Sequence, residues 1–183
     1  MEFWKTIPDY SDYQASTLGR IKSMGRVSLT KNGIPKPIKE RILTPTKGGP
    51  GYLTVKLPKV SGGQITCNVH RLVARTFLGS SNGLDVDHIN RDKSDNRLEN
   101  LRYGTDCQNL NNTGPRSTNT SGYKGVSWVK SGNKWGARCV QPNGKYQYLG
   151  GFSDPKEAAK AYDEAAIRQY GTGACTNASM GLI

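Results

Sequence analysis

Between two stretches that can each build a small core, the chain passes through Asn111-Asn112-Thr113-Gly114-Pro115-Arg116-Ser117-Thr118-Asn119-Thr120-Ser121-Gly122, where Pro115 is the one apolar side chain. Backbone of this kind has polar groups to satisfy and little apolar surface to order it, so it reads as a linker and leaves each flank to build its own core. With 183 residues, of which 34% are hydrophobic and 8% aromatic, two small domains fit better than one extended core. The predicted division is residues 1–112, a linker at 113–122, and residues 123–177. The first 116 residues carry 18 basic against 10 acidic side chains and the remainder 8 against 4, so both parts share the formal net charge of +12.

A cationic excess spread over both parts predicts a polyanionic partner. A membrane surface is the competing polyanion, but no apolar run approaches a membrane span and no basic amphipathic helix is evident. Met1-Glu2-Phe3-Trp4-Lys5 lacks the apolar core of a secretory signal, so a cytoplasmic, non-secreted protein is expected. Cys67, Cys107, Cys139 and Cys175 form no CxxC pair. A structural zinc site is therefore unsupported, and reduced, unpaired thiols are expected.

The two histidines of the sequence, His70 and His88, both lie between Val69 and Asn112. Asp85-Val86-Asp87-His88 alternates as a short strand ending in an acid and a base. A turn rich in Asn and Asp follows, and the chain returns through Leu98 to Tyr103. Thr105-Asp106-Cys107-Gln108 then opens a helix with a capping box, placing Asn109 one turn in. The carboxylate of Asp87 and the amide oxygen of Asn109 are hard oxygen ligands suited to Mg²⁺ or Mn²⁺, leaving most of the shell for water and phosphate. An imidazole such as that of His88 exchanges protons near neutral pH and can act as a general base toward water. A turn histidine bonded to its neighbour is the commoner fate of an isolated Asp-His pair; the ordered set is more specific. His70 opens an apolar helix and is expected to brace the fold, and Asn96 reads equally well as a turn residue.

These residues resemble the HNH nucleases, and within them the homing endonucleases of phage and intron origin. The resemblance runs from Val69 to Asn109 through His70-Arg71-Leu72-Val73-Ala74, Val86-Asp87-His88-Ile89-Asn90 and Asn96-Arg97-Leu98-Glu99-Asn100-Leu101. It implies a ββα-metal fold with one Mg²⁺ or Mn²⁺ per active site bound by Asp87 and Asn109, His88 as the base, and Asn100 orienting the base-bearing loop. Ahead of this segment, Trp4, Ile7 and Tyr10 followed by Tyr13-Gln14-Ala15-Ser16-Thr17-Leu18-Gly19-Arg20 resemble a module common at the N-terminus of such enzymes. The plainer alternative is that Trp4, Tyr10 and Tyr13 are simply core. Residues 24–50, with Lys31, Lys36, Lys39, Arg41 and Lys47 among Gly and Pro, are too polar for a core. They read as a loop that either follows a phosphate backbone or is only solvated. Tyr52 to Leu57 and Gln64 to Val69 alternate as a hairpin that delivers the chain to the helix near His70.

Past Tyr123 three strands are expected at Tyr123 to Val129, Lys134 to Gln141 and Lys145 to Phe152, the last two joined by a Pro142-Asn143-Gly144 turn. Asp154-Pro155-Lys156-Glu157 then supplies an N-cap, a proline at the first helical position and a box glutamate. Ala158, Ala161, Tyr162, Ala165 and Ala166 give the helix a close-packing face before Gly171. Ser121 to Asn177 resembles the plant APETALA2 or ethylene-response-factor DNA-binding domain, through Tyr123-Lys124-Gly125-Val126, Lys134-Trp135-Gly136-Ala137, Leu149-Gly150-Gly151-Phe152 and Glu157 to Ala166. In that family the sheet enters the major groove. The resemblance implies that Lys124, Ser127, Val129, Arg138, Val140, Tyr146 and Tyr148 face DNA, while Val126, Trp128 and Trp135 face the helix. Positions 127 and 129, often arginine in the plant domains, are Ser and Val here, so the family's base preference is not transferred.

The expected fold class is α+β: a ββα-metal nuclease domain followed by a three-stranded antiparallel sheet packed on one helix. The expected function is site-directed hydrolysis of double-stranded DNA, with no membrane and no evident protein partner, in the host cytoplasm if the gene is phage-encoded. The rival reading is a non-catalytic, sequence-specific DNA-binding regulator that keeps the nuclease segment as scaffold. An RNA-binding or structural phage protein would account for the charge but not for the order of Asp87, His88, Asn100 and Asn109.

Overall fold

The computed structural model describes residues 1–30, 32–59, 61–171 and 174–183, and the backbone but not the side chain of residue 107. Lys31 of the basic stretch thus lies outside the described residues, as does the Cys107 side chain. The fold is mixed α+β with antiparallel sheets. Dense internal contacts divide the chain into two compact units, Met1–Tyr103 and Gly104–Ile183. Composition places the boundary later, at residues 113–122; in the structure these residues pack as part of the second unit. No described helix is long and apolar enough to cross a membrane.

In the first unit, β1 (Trp4–Ile7) and β2 (Tyr10–Ser16) form a hairpin. β3 (Ile21–Ser23) and β6 (Arg41–Ile42) extend it into a sheet of order β1-β2-β3-β6. Between β3 and β6 the basic stretch forms a hairpin of its own, β4 (Arg26–Leu29) and β5 (Pro35–Ile38), instead of the expected loop. Its ladder holds the chain where no apolar face would, for Val27, Leu29 and Ile34 stay exposed. β7 (Thr46–Lys47), β8 (Leu53–Pro58) and β9 (Gln64–Asn68) make a third sheet that leads into α1 (Val69–Leu78). Apolar positions at helical spacing put Val69, Leu72 and Val73 of α1 into one core with Ile7, Tyr13, Ala15, Ile21, Val55, Leu57 and Leu101. Tyr13 is thus core and Tyr10 packs against it, whereas Trp4 lies beneath the Lys22 ammonium, 4.6 Å from the ring centroid.

β10 (Asp85–His88) pairs with β11 (Leu101–Gly104) to present the loop between them. A short 3-10 turn, Leu98–Asn100, precedes β11. The first unit also braces this loop from below: Leu98 N–H donates to Thr17 O at 2.9 Å, and Gly19, at φ +78°, lies directly under the Asn96 backbone.

The second unit begins with α2 (Asp106–Asn111). Its start has the expected reciprocal cap, Gln108 N–H donating to Thr105 Oγ1 and Thr105 N–H to Gln108 Oε1. β12 (Val126–Val129), β13 (Lys134–Val140) and β14 (Tyr146–Phe152) form an antiparallel sheet, and α3 (Pro155–Tyr170) lies on one face of it. Ala158, Ala159, Ala165 and Ala166 are buried there, and their small side chains let helix and sheet approach closely. Asp154 caps α3 by accepting from Lys156 N–H at 3.0 Å. The unit is closed by Asn177, wholly buried. Its Oδ1 accepts Lys124 N–H at 2.7 Å and its Nδ2 donates to Lys124 O at 3.2 Å and Asp163 Oδ1 at 2.9 Å. Asp163 also accepts the N–H groups of Asn177 and Ala178 at 2.7 and 2.8 Å, so both oxygens of the buried carboxylate are hydrogen-bonded.

Candidate active site and nucleic-acid interface

The loop after β10 is shaped by Asn100. Its Oδ1 accepts Asn90 N–H at 2.9 Å, while its Nδ2 donates to Asn90 Oδ1 at 2.9 Å and to Asp95 O at 2.8 Å. One buried amide thus ties both ends of the turn, a strong constraint on where His88 points. Arg91, at φ +67°, closes the tight turn by donating its N–H to His88 O at 2.9 Å. Farther on, the Arg97 guanidinium forks onto Asp95 with both contacts at 2.8 Å and holds that carboxyl down at about 2.

His88 is 4% exposed. Its Nε2 lies 3.1 Å from Asn96 Oδ1. The Asn96 NH₂ donates to Ser94 O at 3.2 Å, which fixes the amide with its oxygen toward the ring. Nε2 therefore donates to Asn96, and in the neutral ring the lone pair lies on Nδ1. Asn96, readable from sequence as a mere turn residue, is thus buried against the histidine. His70 packs edge-on against the His88 ring at 5.0 Å between centroids, and Tyr52 lies 4.7 Å from His70 and 6.0 Å from His88. Burial, with His88 and Arg71 nearby, depresses the His70 pKa to about 3, so this ring is neutral and braces its neighbour.

Asp87 precedes His88 on β10, and Arg102 of β11 donates Nε and Nη2 to its Oδ2 at 3.0 and 2.9 Å. Arg102 had no signal in the sequence beyond its place on the strand that pairs with β10. Asn109 sits on α2, donating Nδ2 to Gly104 O at 3.4 Å. Its buried Oδ1 has no hydrogen-bond partner among the described residues. A Cβ at position 104 would fill the space at that oxygen, so glycine there keeps an acceptor open. Among the described residues no three His, Cys, Asp or Glu side chains cluster to hold a metal. The orphaned amide oxygen of Asn109 is a hard donor that suits a divalent ion keeping much of its own shell, and not a zinc site built from side chains.

In the second unit, Ser127 pairs with Gly136, Arg138 with Tyr148 and Val140 with Tyr146. Cross-strand partners share a face. With Val129, which meets Tyr148 above Gly136, these side chains form the sheet face opposite α3. Tyr146 is 72% exposed, and Tyr148, Ser127 and Arg138 are exposed beside it. Lys124 departs from this expected surface: it is 8% exposed and donates Nζ to Asn111 O, because the chain after α2 folds over it. Trp128 lies opposite Trp135 and so on the helix side of the sheet as expected, but at its margin. It is 40% exposed, edge-on to Trp135 at 4.9 Å, while Val126 and Trp135 fill the core.

Three family models match successive parts of the chain: a NUMOD4 motif over residues 2–58, an HNH endonuclease over 67–111 and an AP2 domain over 121–172. An uncharacterized HNH endonuclease of Acanthamoeba polyphaga mimivirus is 30% identical over 87% of this chain and 43% of its own length. The DNA endonuclease I-HmuI of Bacillus phage SP01 is 34% identical over 70% of this chain and 67% of its own length. APETALA2-like protein 2 of Oryza sativa subsp. indica is 51% identical over 32% of this chain and 13% of its own. A solved structure of I-HmuI aligns with a TM-score of 0.47 and 26% identity, covering 86% of this chain and 82% of that one. The chain thus spans less than half of the mimivirus relative and about two thirds of the phage relative.

Proposed function

The chain belongs to the HNH endonucleases, and on that premise we propose that it is a site-directed endonuclease that hydrolyses phosphodiester bonds of double-stranded DNA. The single observation that carries this reading is the His88 arrangement, a buried imidazole held by Asn96 through Nε2 with its lone pair on Nδ1, beside Asp87. A scaffold kept only for binding would have no need of an imidazole held in one tautomer.

In this reading His88 Nδ1 accepts a proton from water as the water oxygen attacks phosphorus, and the bond from phosphorus to the leaving oxygen breaks. Asn100 holds the loop and Asn96 the ring, so the base needs no reorganisation at the moment of attack. Family members of this kind use a divalent cation; here Asp87 and Asn109 would hold it as Mg²⁺ or Mn²⁺. When bound, such an ion stabilises the charge growing on the phosphate and the leaving oxygen. Residues 1–112 form the nuclease part with its N-terminal module, 113–122 the connection, and 123–177 the DNA reader, acting through Ser127, Arg138, Tyr146 and Tyr148. The compartment is the cytoplasm, that of the host for a phage-encoded chain.

The test is plasmid cleavage with and without Mg²⁺, for wild type and His88→Ala. Cleavage should require the ion, and the variant should bind DNA normally while cutting roughly 10²-fold or more slowly, the scale of a lost general base. Equal cutting by both proteins would assign proton removal to another group. No cutting by wild type under any divalent ion would favour the binding-only regulator.

A further inference from the structure

The polar run after α2 does more than connect. Its start is fastened where Lys124 Nζ donates to Asn111 O and where the Cys175 thiol approaches Thr113 O at 3.7 Å. Its end is fastened by Asn119, whose Nδ2 donates to Tyr123 O at 2.7 Å and whose Oδ1 accepts the N–H and hydroxyl of Ser121 at 2.8 and 2.7 Å. Ser121 Oγ also lies 3.0 Å from Val126 O, at the start of the sheet. Residues 114–118, pinned on both sides, stand as a wall beside the sheet and enclose with it a cleft of about 370 Å³.

The lining of this cleft has one sign of charge. Arg116 comes from the wall and Arg138 from the sheet, with the hydroxyls of Thr118, Ser127 and Tyr146 around them and no Asp or Glu in the lining. Neither guanidinium meets a carboxylate among the described residues. The larger cleft of the first unit, about 770 Å³, differs on this point: its Arg71 and Arg75 are paired with Asp85 at 3.6 Å and Asp9 at 2.5 Å. Two arginines kept without counter-charge beside several hydroxyls, in a cleft otherwise lined mostly by apolar groups such as Leu110, Pro115 and Val140, favour a bound anion. Ser127, Arg138 and Tyr146 belong both to the cleft and to the exposed sheet face, so a strand lying on that face passes its mouth.

We propose that this cleft is a phosphodiester-binding site and that Arg116, outside the segment matched as an AP2 domain, grips one backbone phosphate of the DNA strand that lies on the sheet. The inference rests on the sheet being the DNA-reading face. The buried Lys124 then has a clear part: its ammonium holds the wall in place and leaves the phosphate to Arg116.

The experiment is the salt dependence of binding by the full chain to a mixed-sequence duplex, in chelator so that nothing is cut. One lost phosphate contact lowers the slope of log K against log salt by about 0.9, so Arg116→Gln should lose about threefold less affinity than wild type over a fourfold rise in salt. Arg116→Lys should restore the slope. Lys160→Gln removes the same charge from an exposed position of α3 that does not line the cleft, and should leave the slope at the wild-type value. If Arg116→Gln matches Lys160→Gln while Arg138→Gln still weakens binding, the cleft assignment falls and the sheet reading stands. If Arg116→Gln and Arg138→Gln both bind like wild type, the sheet reading falls and the cleft assignment with it. As a second measurement, one uncharged methylphosphonate is walked along the strand. It should weaken wild type at a position where Arg116→Gln no longer responds, and the same response at every position in both proteins would overturn the proposal.

Discussion

Gly19→Ala places a methyl group where the site loop rests on the N-terminal sheet. The residue sits at φ +78°, and a Cβ there would lie 2.6 Å from both the carbonyl carbon and oxygen of Asn96 and 2.9 Å from its Cβ. Two costs combine: about 1–2 kcal/mol for a left-handed alanine, and about 1–3 kcal/mol for overpacking against backbone that cannot rotate away, together roughly 2–5 kcal/mol. Gly33→Ala is the control, since that glycine has φ +75° with nothing within 4 Å of an added Cβ, and it should show the first cost alone. Urea unfolding of the two variants separates the terms. Because Asn96 holds His88 through Nε2, relief of the collision must also move the base, and single-turnover cleavage should slow by about tenfold or more in Gly19→Ala only, roughly 1.4 kcal/mol of barrier. Equal destabilisation by both alanines, or full cutting speed in Gly19→Ala, would refute the claim that the N-terminal sheet sets the position of the catalytic loop.

Asn96→Ala leaves the buried Nε2–H of His88 without its acceptor; single-turnover cleavage should fall by roughly 10-fold or more, the scale of about 1–3 kcal/mol for an unmet buried donor, with DNA affinity unchanged in a gel-shift assay. Asp87→Ala and Asn109→Ala should both lose cleavage and demand more Mg²⁺, and a metal titration with an unchanged midpoint would remove either residue from the ligand set. His70 gives a pH signature. Unfolded, its imidazole takes a proton near pH 6.5, but folded it stays neutral until about pH 3. Protons therefore favour the unfolded chain in that window, and stability that is complete above pH 6.5 should fall by up to about 1.4 kcal/mol per pH unit on acidification. His70→Phe should flatten this part of the profile, and urea midpoints that decline with wild-type slope in the variant would show that His70 is not its source.

Features set by neighbours in sequence were legible. The Thr105–Gln108 box and the Asp154–Pro155 helix start are local geometry, and both form. The hairpin of residues 26–38 was not visible, because its alternating Val27 and Leu29 stay exposed instead of marking a buried face, and its ladder forms across a turn. Within the site, the order of Asp87, His88, Asn100 and Asn109 was plain, whereas the part played by Asn96 depends on which amide atom meets a ring eight positions away. The burial of Lys124 was hidden for a related reason: it follows from Asn111 and Asn177 closing on it from separate segments, and nothing in the spacing of polar residues marks which asparagine will be interior.

Anyone wishing to graft the DNA reader onto another catalytic head would naturally excise residues 121–172, where the family likeness begins and stops. That cut discards Asn177 and Asn111. It removes the Asn177 oxygen that accepts the Lys124 N–H, the Asn111 carbonyl that accepts from the Lys124 ammonium, and the Asn177 donors to the Asp163 carboxylate. A graft that keeps residues 104–183 carries those partners with it. The portable piece of this protein is therefore larger than the segment matched as an AP2 domain, and its outer edges are what make the middle transferable.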